Sequence, residues 1–436
     1  MPFFIHKQLG LAITLMLGAT SAQHTQARGD MRPNSEWFEP VALSTNTPVK
    51  PVAPAPAAFH FADHAGSRNS LSVARVLDSA VDALLASDEL SEWEKYHLKA
   101  YGQYLGSLAP GRLAATLEQL AGSQNANLGT ATQNSMKQLS ASLLSAIRQL
   151  DNDTHEAGRF WLQGLGSGGR LGAQHGSAGL NQSNQGLLLG ADWALDHAWR
   201  IGVVGGKSGS DVSAKGFKGE LASWHLGGYA VRQDGPLALR LGALYSRHTG
   251  QNRRTVDFGF VGYRERLAGT YTAQSQNAFA ELGYQLDTGG LRVEPSAGIG
   301  FQRYHRSRFQ EKGGYSALNV GTQTQQNLSS TLGLRLSHEI ALSNRIALKP
   351  HLSTHWKHLY GNVDSRVRQS FAQEKREDFN SEFTIAGTSL DRDNLTLRTG
   401  LDMALSAEHS VGLAYTAEVG SHSRHHGLMG QWAMTF

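Results

Sequence analysis

Gly427-Leu428-Met429-Gly430-Gln431-Trp432-Ala433-Met434-Thr435-Phe436 closes the chain, with its apolar bulk on every second residue. Leu428, Gly430, Trp432, Met434 and Phe436 make one series; Met429, Gln431, Ala433 and Thr435 make the other. Successive side chains of a strand point to opposite faces, so this segment has one bulky apolar face and one mostly small or polar face.

Upstream, the same pattern recurs back to about residue 158. Leu237, Leu239, Leu241, Ala243 and Tyr245 oppose Arg240 and Ser246, and Leu332, Leu334, Leu336 and Ile340 oppose Arg335, Ser337 and Glu339. Ile346, Leu348, Leu352, Trp356 and Tyr360 oppose Arg345, Lys349, His351 and Lys357. Leu395, Leu397, Leu401, Met403 and Leu405 oppose Thr396, Arg398 and Asp402; Val411, Leu413, Tyr415 and Val419 oppose Thr416 and Glu418. Charges of both signs on the non-lipid face suit a water-filled lumen. A soluble β-sandwich, the fold of a secreted adhesive module, also alternates, but it turns its polar face outward.

The connections decide between the two. The pattern predicts 12 strands, near 158–168, 185–196, 198–208, 219–233, 236–249, 271–287, 291–305, 326–341, 345–360, 392–405, 410–420 and 424–436. Tight turns at 196–197, 234–235, 287–290, 343–344 and 406–409 alternate with long loops at 169–184, 209–218, 250–270, 306–325 and 361–391; only the connection at 421–423 breaks the rule. Membrane barrels carry short periplasmic turns and longer outer loops, so the fold expected is a mostly β, 12-stranded antiparallel transmembrane barrel with both ends on the periplasmic side. Tyr245, Trp356, Tyr360, Tyr415 and Trp432 fit interfacial aromatic girdles.

Before the barrel the period changes. Residues 1–22 read as a signal peptide: Lys7, an apolar run of 11 from Leu9 to Ala19, then Thr20-Ser21-Ala22. A second cleavage position follows Ala27. Residues 28–62 are Pro-rich, with Pro48, Pro51, Pro54 and Pro56, and read as a linker. Helical spacing follows in Val76, Val81, Leu84 and Leu85, in Trp93, Tyr96, Tyr101, Tyr104 and Leu105, and in Leu113, Leu117 and Leu120, with Gly122 as a stop. Residues 130–150 predict a further helix with a narrow apolar stripe of Met136, Leu139, Leu143, Leu144, Ile147 and Leu150 on an otherwise small and polar surface. Its 21 residues span about 31 Å, the thickness of a bilayer's hydrocarbon core. Too polar for lipid, such a helix fits a hydrated pore or the surface of a small bundle. The expected organisation is signal peptide 1–22, a passenger-like segment 23–105, helical linker and pore helix 106–157, and barrel 158–436.

Composition excludes little else. There is no cysteine among 436 residues, and the basic residues behind the net charge of +4 are dispersed, which argues against nucleic acid. Gly164 to Gly169 satisfies G-x-G-x-x-G, but a loop follows where a dinucleotide site needs a helix; Gly205-Gly206-Lys207-Ser208 lacks the spacing and the helix of a phosphate loop. No G-x-S-x-G elbow occurs, so an α/β-hydrolase passenger is not supported, and the function expected is membrane insertion and display rather than catalysis. His351 and His355 stand about 13 Å apart on one strand, too far to share a metal ion, and neither a metal nor a cofactor is expected.

Phe160-Trp161-Leu162-Gln163-Gly164-Leu165-Gly166, Gly186-Leu187-Leu188-Leu189-Gly190-Ala191-Asp192, residues 200–206, Leu226-Gly227-Gly228-Tyr229 and the closing strand resemble the translocator unit of classical monomeric autotransporters, the type V secretion family. The resemblance covers about residues 105–436, with 113–122 similar to the Leu-rich linker before the family's pore helix. It implies a monomeric barrel in the outer membrane of a Gram-negative bacterium, in contact with its lipid. A helix threads the lumen, here carrying Met136, Leu139, Leu143, Ile147 and Leu150, and leads a passenger to the cell surface. It also implies periplasmic chaperones and a barrel-assembly machinery that reads a terminal aromatic strand, here Leu428, Trp432, Met434 and Phe436. Asn125 and Asn127 lie where some members cleave themselves; no matching motif accompanies them, and an uncleaved chain is expected. Family passengers run to several hundred residues, whereas residues 23–105 are few and show no repeat. The function expected is display of this short segment for a host or neighbouring cell, with a passive pore or a small surface adhesin as alternatives.

Overall fold

Two serines begin the first helices. The computed structural model describes residues 59–436 apart from 89, 110, 150–157, 259–262, 343–345 and 373–380, so the expected signal peptide, linker residues 28–58, Leu150 and the turn at 343–344 lie outside the described residues, while the end of the expected linker enters a 3₁₀ helix, Phe61–His64, with Phe61 buried. Ser67 caps helix α1 (Arg68–Ala86) and Ser91 caps α2 (Glu92–Gly106), each in a reciprocal capping box, with Ser70 and Glu94 as the returning partners. Helix α3 (Arg112–Ala121) ends at Gly122, whose φ of +58° is left-handed, and α4 (Gln124–Arg148) starts two residues later. A side chain at Gly122 would be strained by that φ and would strike Leu318, so glycine makes the elbow between α3 and α4.

The barrel staves are β1 (Arg159–Leu171), β2 (Leu180–Ala194), β3 (Trp199–Ala214), β4 (Phe217–Asp234), β5 (Leu237–Phe258), β6 (Tyr263–Tyr284), β7 (Leu291–Arg306), β8 (Gln323–His338), β9 (Ala347–Gly361), β10 (Asp393–Ala404), β11 (His409–Gly420) and β12 (Ser423–Thr435). Each pairs antiparallel with the next. β1 closes on β12 from Arg159↔Thr435 to Leu171↔Ser423, leaving no free edge in the wall. Gly158 and Phe436 exchange two backbone hydrogen bonds of 2.9 and 2.8 Å beyond the last ladder pair.

Strand lengths differ from the sequence expectation at one end. β3 runs to Ala214 and β4 starts at Phe217, so most of the loop expected at 209–218 is strand and only Lys215-Gly216 turns. β5 and β6 have 22 residues each and take in most of 250–270. A tilted strand crosses a bilayer in about 9–11 residues, so this hairpin rises well beyond it. The remaining long connections are also partly strand. Phe309–Lys312 pairs with the top of β6, Leu318–Val320 with both Phe309–Lys312 and Arg366–Phe371, and Arg366–Phe371 with Phe383–Ala386. These extensions were hidden in the sequence because Arg253, Arg254, Arg264 and Glu265 interrupt the lipid-type alternation where the strand leaves the membrane.

An apolar core sits at this end. Phe61, Val73, Leu77, Leu105, Leu113, Leu117 and Leu120 of the helical segment pack with Val256, Phe258, Leu267, Leu318, Val367, Phe383 and Ile385 of the extensions. Asn69 joins the two covalently distant parts: its carboxamide donates to Ala386 O at 2.7 Å and accepts from Ala386 N–H at 2.9 Å, completing an edge-strand pairing with a side chain. Residues 59–121 therefore lie as a helical cap over one mouth of the barrel.

Candidate functional site: the lumen and its helix

Helix α4 lies inside the barrel. It begins at Gln124 rather than 130, so Asn125 and Asn127, expected just before it, belong to its first turn. Its stripe Met136, Leu139, Leu143 and Ile147 is fully buried against Trp161, Leu188, Val204, Tyr229, Val231 and Leu244 of β1–β5. These wall residues point inward while Leu187, Leu189, Ile201, Val203 and Leu226 point outward, so this part of the wall is apolar on both faces. An apolar stripe thus finds an apolar patch of lumen, and removes both from lumenal water.

The helix's other faces are polar and meet polar wall. Ser135 Oγ donates to Asn184 Oδ1 at 2.6 Å, Ser167 Oγ to Gln138 Oε1 at 2.5 Å, and Asn277 Nδ2 to Ser140 Oγ at 3.1 Å. Gln133 Nε2 donates to Gln325 Oε1 at 2.5 Å, while Gln302 Nε2 donates to the Gln133 carbonyl at 2.9 Å. Near the cap, Asn125 is held from three strands: its Nδ2 donates to Glu311 and Gln369, and its Oδ1 accepts from Asn252 Nδ2 at 2.8 Å. Arg306 Nη1 donates to the Asn125 carbonyl at 2.7 Å. Each such bond contributes about 0.5–1.5 kcal/mol, and each fixes the rotation and height of α4 in the lumen.

Two cations lock the lower half. Lys137 Nζ meets Glu418 Oε1 at 2.5 Å on β11, and Arg148 pairs with Glu281 on β6, which also accepts from Arg240 at 3.1 Å. At the foot, Asp192 is wholly buried between two arginines: Arg159 Nη2 at 2.9 Å and Arg200 Nη2 at 3.0 Å. Tyr229 donates its hydroxyl to Asp192 Oδ2 at 2.6 Å and accepts from Trp161 Nε1 at 2.7 Å. Arg159 also donates to the Ala146 carbonyl at 3.3 Å, tying this network to the last turns of α4. Sequence reasoning quoted Asp192 only as part of a motif and passed over Lys137 and Arg148. The signal was present: residues 124–148 carry these two cations and no acid, so their partners had to be on the wall.

The terminal strand points as its alternation says. Leu428 and Phe436 are exposed, Trp432 and Met434 half-buried, and Met429, Gln431 and Ala433 buried toward the lumen. Trp432 stacks on His409 at 5.8 Å and meets Phe160 edge-on at 6.1 Å. Tyr245, Trp356, Tyr360 and Tyr415 lie on the outer surface. Among the described residues no three His, Asp or Glu side chains converge as metal ligands.

A family model described as "Autotransporter beta-domain" matches residues 160–416, more than half of the chain. An extracellular serine protease of Serratia marcescens is 28% identical over 333 residues, which cover 74% of this chain and 31% of that protein. The chain thus spans about a third of the length of this curated relative. Among solved structures, the translocator domain of the autotransporter NalP from Neisseria meningitidis superposes with a TM-score of 0.58 at 15% identity, covering 71% of this chain and 98% of that one. The β domain of the Bordetella autotransporter BrkA gives a TM-score of 0.48 at 21% identity, covering 64% and 100%.

Proposed function

Because this chain belongs to the autotransporter family through its β-domain and is an outer-membrane translocator barrel, we propose that its cargo is its own N-terminal segment, carried outward by α4 and kept there as a docked cap. The observation that carries this reading is the shared core of residues 59–121 with the strand extensions opposite the tight turns. In outer-membrane barrels the tight turns face the periplasm, and this general rule supports reading the capped end as the outer one. A segment held by a common core and by the Asn69 pairing stays attached and covers the outer mouth. The organisation that follows is an exported leader at 1–22, a short passenger within 23–105, linker and lumen helix within 106–157, and barrel from 158.

The closing strand serves assembly in this reading: Leu428, Trp432, Met434 and Phe436 form one outward row ending where β12 meets β1, available to the barrel-assembly machinery before closure. Periplasmic chaperones deliver the unfolded chain. No enzymatic role is proposed for the barrel; proteolysis is the activity named for the Serratia relative.

An epitope inserted beside Pro54 tests the topology. In intact cells it should bind antibody and be lost to added protease. Detection only after permeabilisation of the outer membrane would overturn surface display. One observation favours an adhesive role for the displayed segment: Trp93, Tyr96 and Tyr104 are exposed by 67, 55 and 48% on one face of α2. Trp93→Ala with Tyr96→Ala should then weaken cell attachment without changing barrel assembly.

A further inference from the structure

Opposite the apolar seam of α4 lies a cavity of about 220 Å³, bounded by the polar face of the helix and the inner wall from β6 to β12. Three cross-strand rows of that wall face it. One pairs Thr331 with Lys357; the next runs His355, Thr396, Glu418, His425; the third pairs Arg398 with Thr416. α4 adds Lys137 and Arg148, but those two are committed to Glu418 and Glu281.

The lining carries four cations, Lys137, Arg148, Lys357 and Arg398, against two acids, Glu281 and Glu418, so positive charge is in excess; Glu418 also acts through space on Lys357, and Asp402 on Arg398. Among the described residues Lys357 has no hydrogen-bond or ion-pair partner, and Arg398 reaches only Ser145 Oγ, at 2.6 Å, and the Met429 sulfur. His425 is 4% exposed, lines the cavity, and has a hydrogen-bond partner on neither ring nitrogen. The neighbouring ion pairs are shielded: the side chains of Lys137, Glu418, Arg148 and Glu281 are 12, 11, 8 and 6% exposed. A charge in such a place is costly unless a counter-charge accompanies it. The cavity far exceeds the ~10–15 Å³ that a single water requires.

We propose that this cavity is an anion site, taking one small inorganic anion of halide to phosphate size between Lys357, Arg398 and the His425 ring, with Thr396 and Thr416 hydroxyls beside them. The bound anion supplies the missing counter-charge and stabilises the helix-filled barrel. The site exists only while α4 is in the lumen, because the helix forms one of its walls.

Bromide is the probe. The full chain, folded in detergent, is heated in sodium bromide and in the sodium salt of a bulky sulfonate at equal ionic strength, and the compact band is followed on a gel. The wild-type midpoint should rise in bromide, by about 1.5–2.5 °C at ten times the dissociation constant. Lys357→Gln should lose that rise, and in the sulfonate salt it should be at least as stable as the wild type because it removes one of four lining cations that face two acids. Equal wild-type midpoints in the two salts, or an undiminished rise in Lys357→Gln, would overturn the proposal. Should that variant fail to fold, anomalous scattering from bromide-soaked wild-type crystals decides: a peak in the cavity supports the site, and an empty cavity refutes it.

Discussion

Replacing Asp192 tests how the barrel wall grips the foot of the lumen helix. Its carboxylate is wholly buried and accepts from Arg159 Nε at 3.1 Å and Nη2 at 2.9 Å, from Arg200 Nε at 3.2 Å and Nη2 at 3.0 Å, and from the Tyr229 hydroxyl at 2.6 Å. Asp192→Ala leaves two guanidinium groups without their anion and the Tyr229 hydroxyl without its acceptor. Removing one partner of a buried pair costs about 3–5 kcal/mol, chiefly through the charge left behind. At 1.4 kcal/mol per factor of ten, the lower figure already shifts the folded-to-unfolded ratio by roughly 150-fold. Denaturant unfolding in micelles, followed by the fluorescence of tryptophans such as the buried Trp161, gives the midpoint and slope. The comparison variant is Asp234→Asn, which breaks a 2.9 Å pair with Arg232 whose side chains are 64 and 42% exposed. Surface pairs contribute about 0–1 kcal/mol. Asp192→Ala should therefore lower stability several times more than Asp234→Asn, and Arg159→Gln in the Asp192→Asn background should recover part of the loss. Equal effects of Asp192→Ala and Asp234→Asn would refute the role given to this network.

Leu143→Ala, at a fully buried point of the helix seam, should cost about 2–5 kcal/mol in the same unfolding measurement, against little for Leu144→Ala on the half-buried flank. Asn69→Ala removes both bonds to Ala386 and should cost about 1–3 kcal/mol of cap docking, read as faster proteolysis of residues 59–121 with the barrel intact. The folding of the cap should also depend on pH through Asp78, whose partners all belong to the cap. Burial pushes its carboxyl above the ordinary 3.8, although the Phe61 and Ala62 N–H groups donating to it at 2.6 and 3.0 Å pull the other way. Because the folded pKa is the higher one, the folded cap binds more protons between the two values; its stability rises as pH falls through the folded pKa and levels off below about 3.8. Protease protection of the cap should therefore increase on mild acidification in the wild type and not in Asp78→Asn; the opposite slope would contradict the assignment. Deleting Phe436 should reduce assembled barrel in cells far more than Leu413→Val, a change confined to the lipid face.

The barrel was legible because lipid imposes a strict rule on one face of each strand. Where lipid ends, the rule ends, which is why 209–218 and 250–270 read as loops although they continue as strands. The lumen was legible in part. The stripe Met136, Leu139, Leu143 and Ile147 falls on one buried face of α4, but its receptor does not stand out in the sequence. In Phe160-Trp161-Leu162 and Leu187-Leu188-Leu189 both faces are apolar, so alternation could not tell Trp161 and Leu188 as inward residues. The start of α4 is hidden because Asn125, Asn127 and Gly129 are poor helix formers; in the folded chain, bonds of Asn125 with Asn252, Gln369 and Arg306 override that preference. The cap was the least legible part, since its partners are separated from it by up to 317 residues in the Asn69–Ala386 contact.

The central claim is that α4 crosses the lumen and leaves the helical cap outside. The chain has no cysteine, so a single introduced thiol reports its own side of the membrane. Two single variants, Lys99→Cys on α2 and His197→Cys in a tight turn, are exposed to a membrane-impermeant maleimide, first in intact cells and then after permeabilisation of the outer membrane. The account predicts that the Lys99→Cys variant is labelled in both conditions and the His197→Cys variant only after permeabilisation. Labelling of the Lys99→Cys variant only after permeabilisation would contradict it.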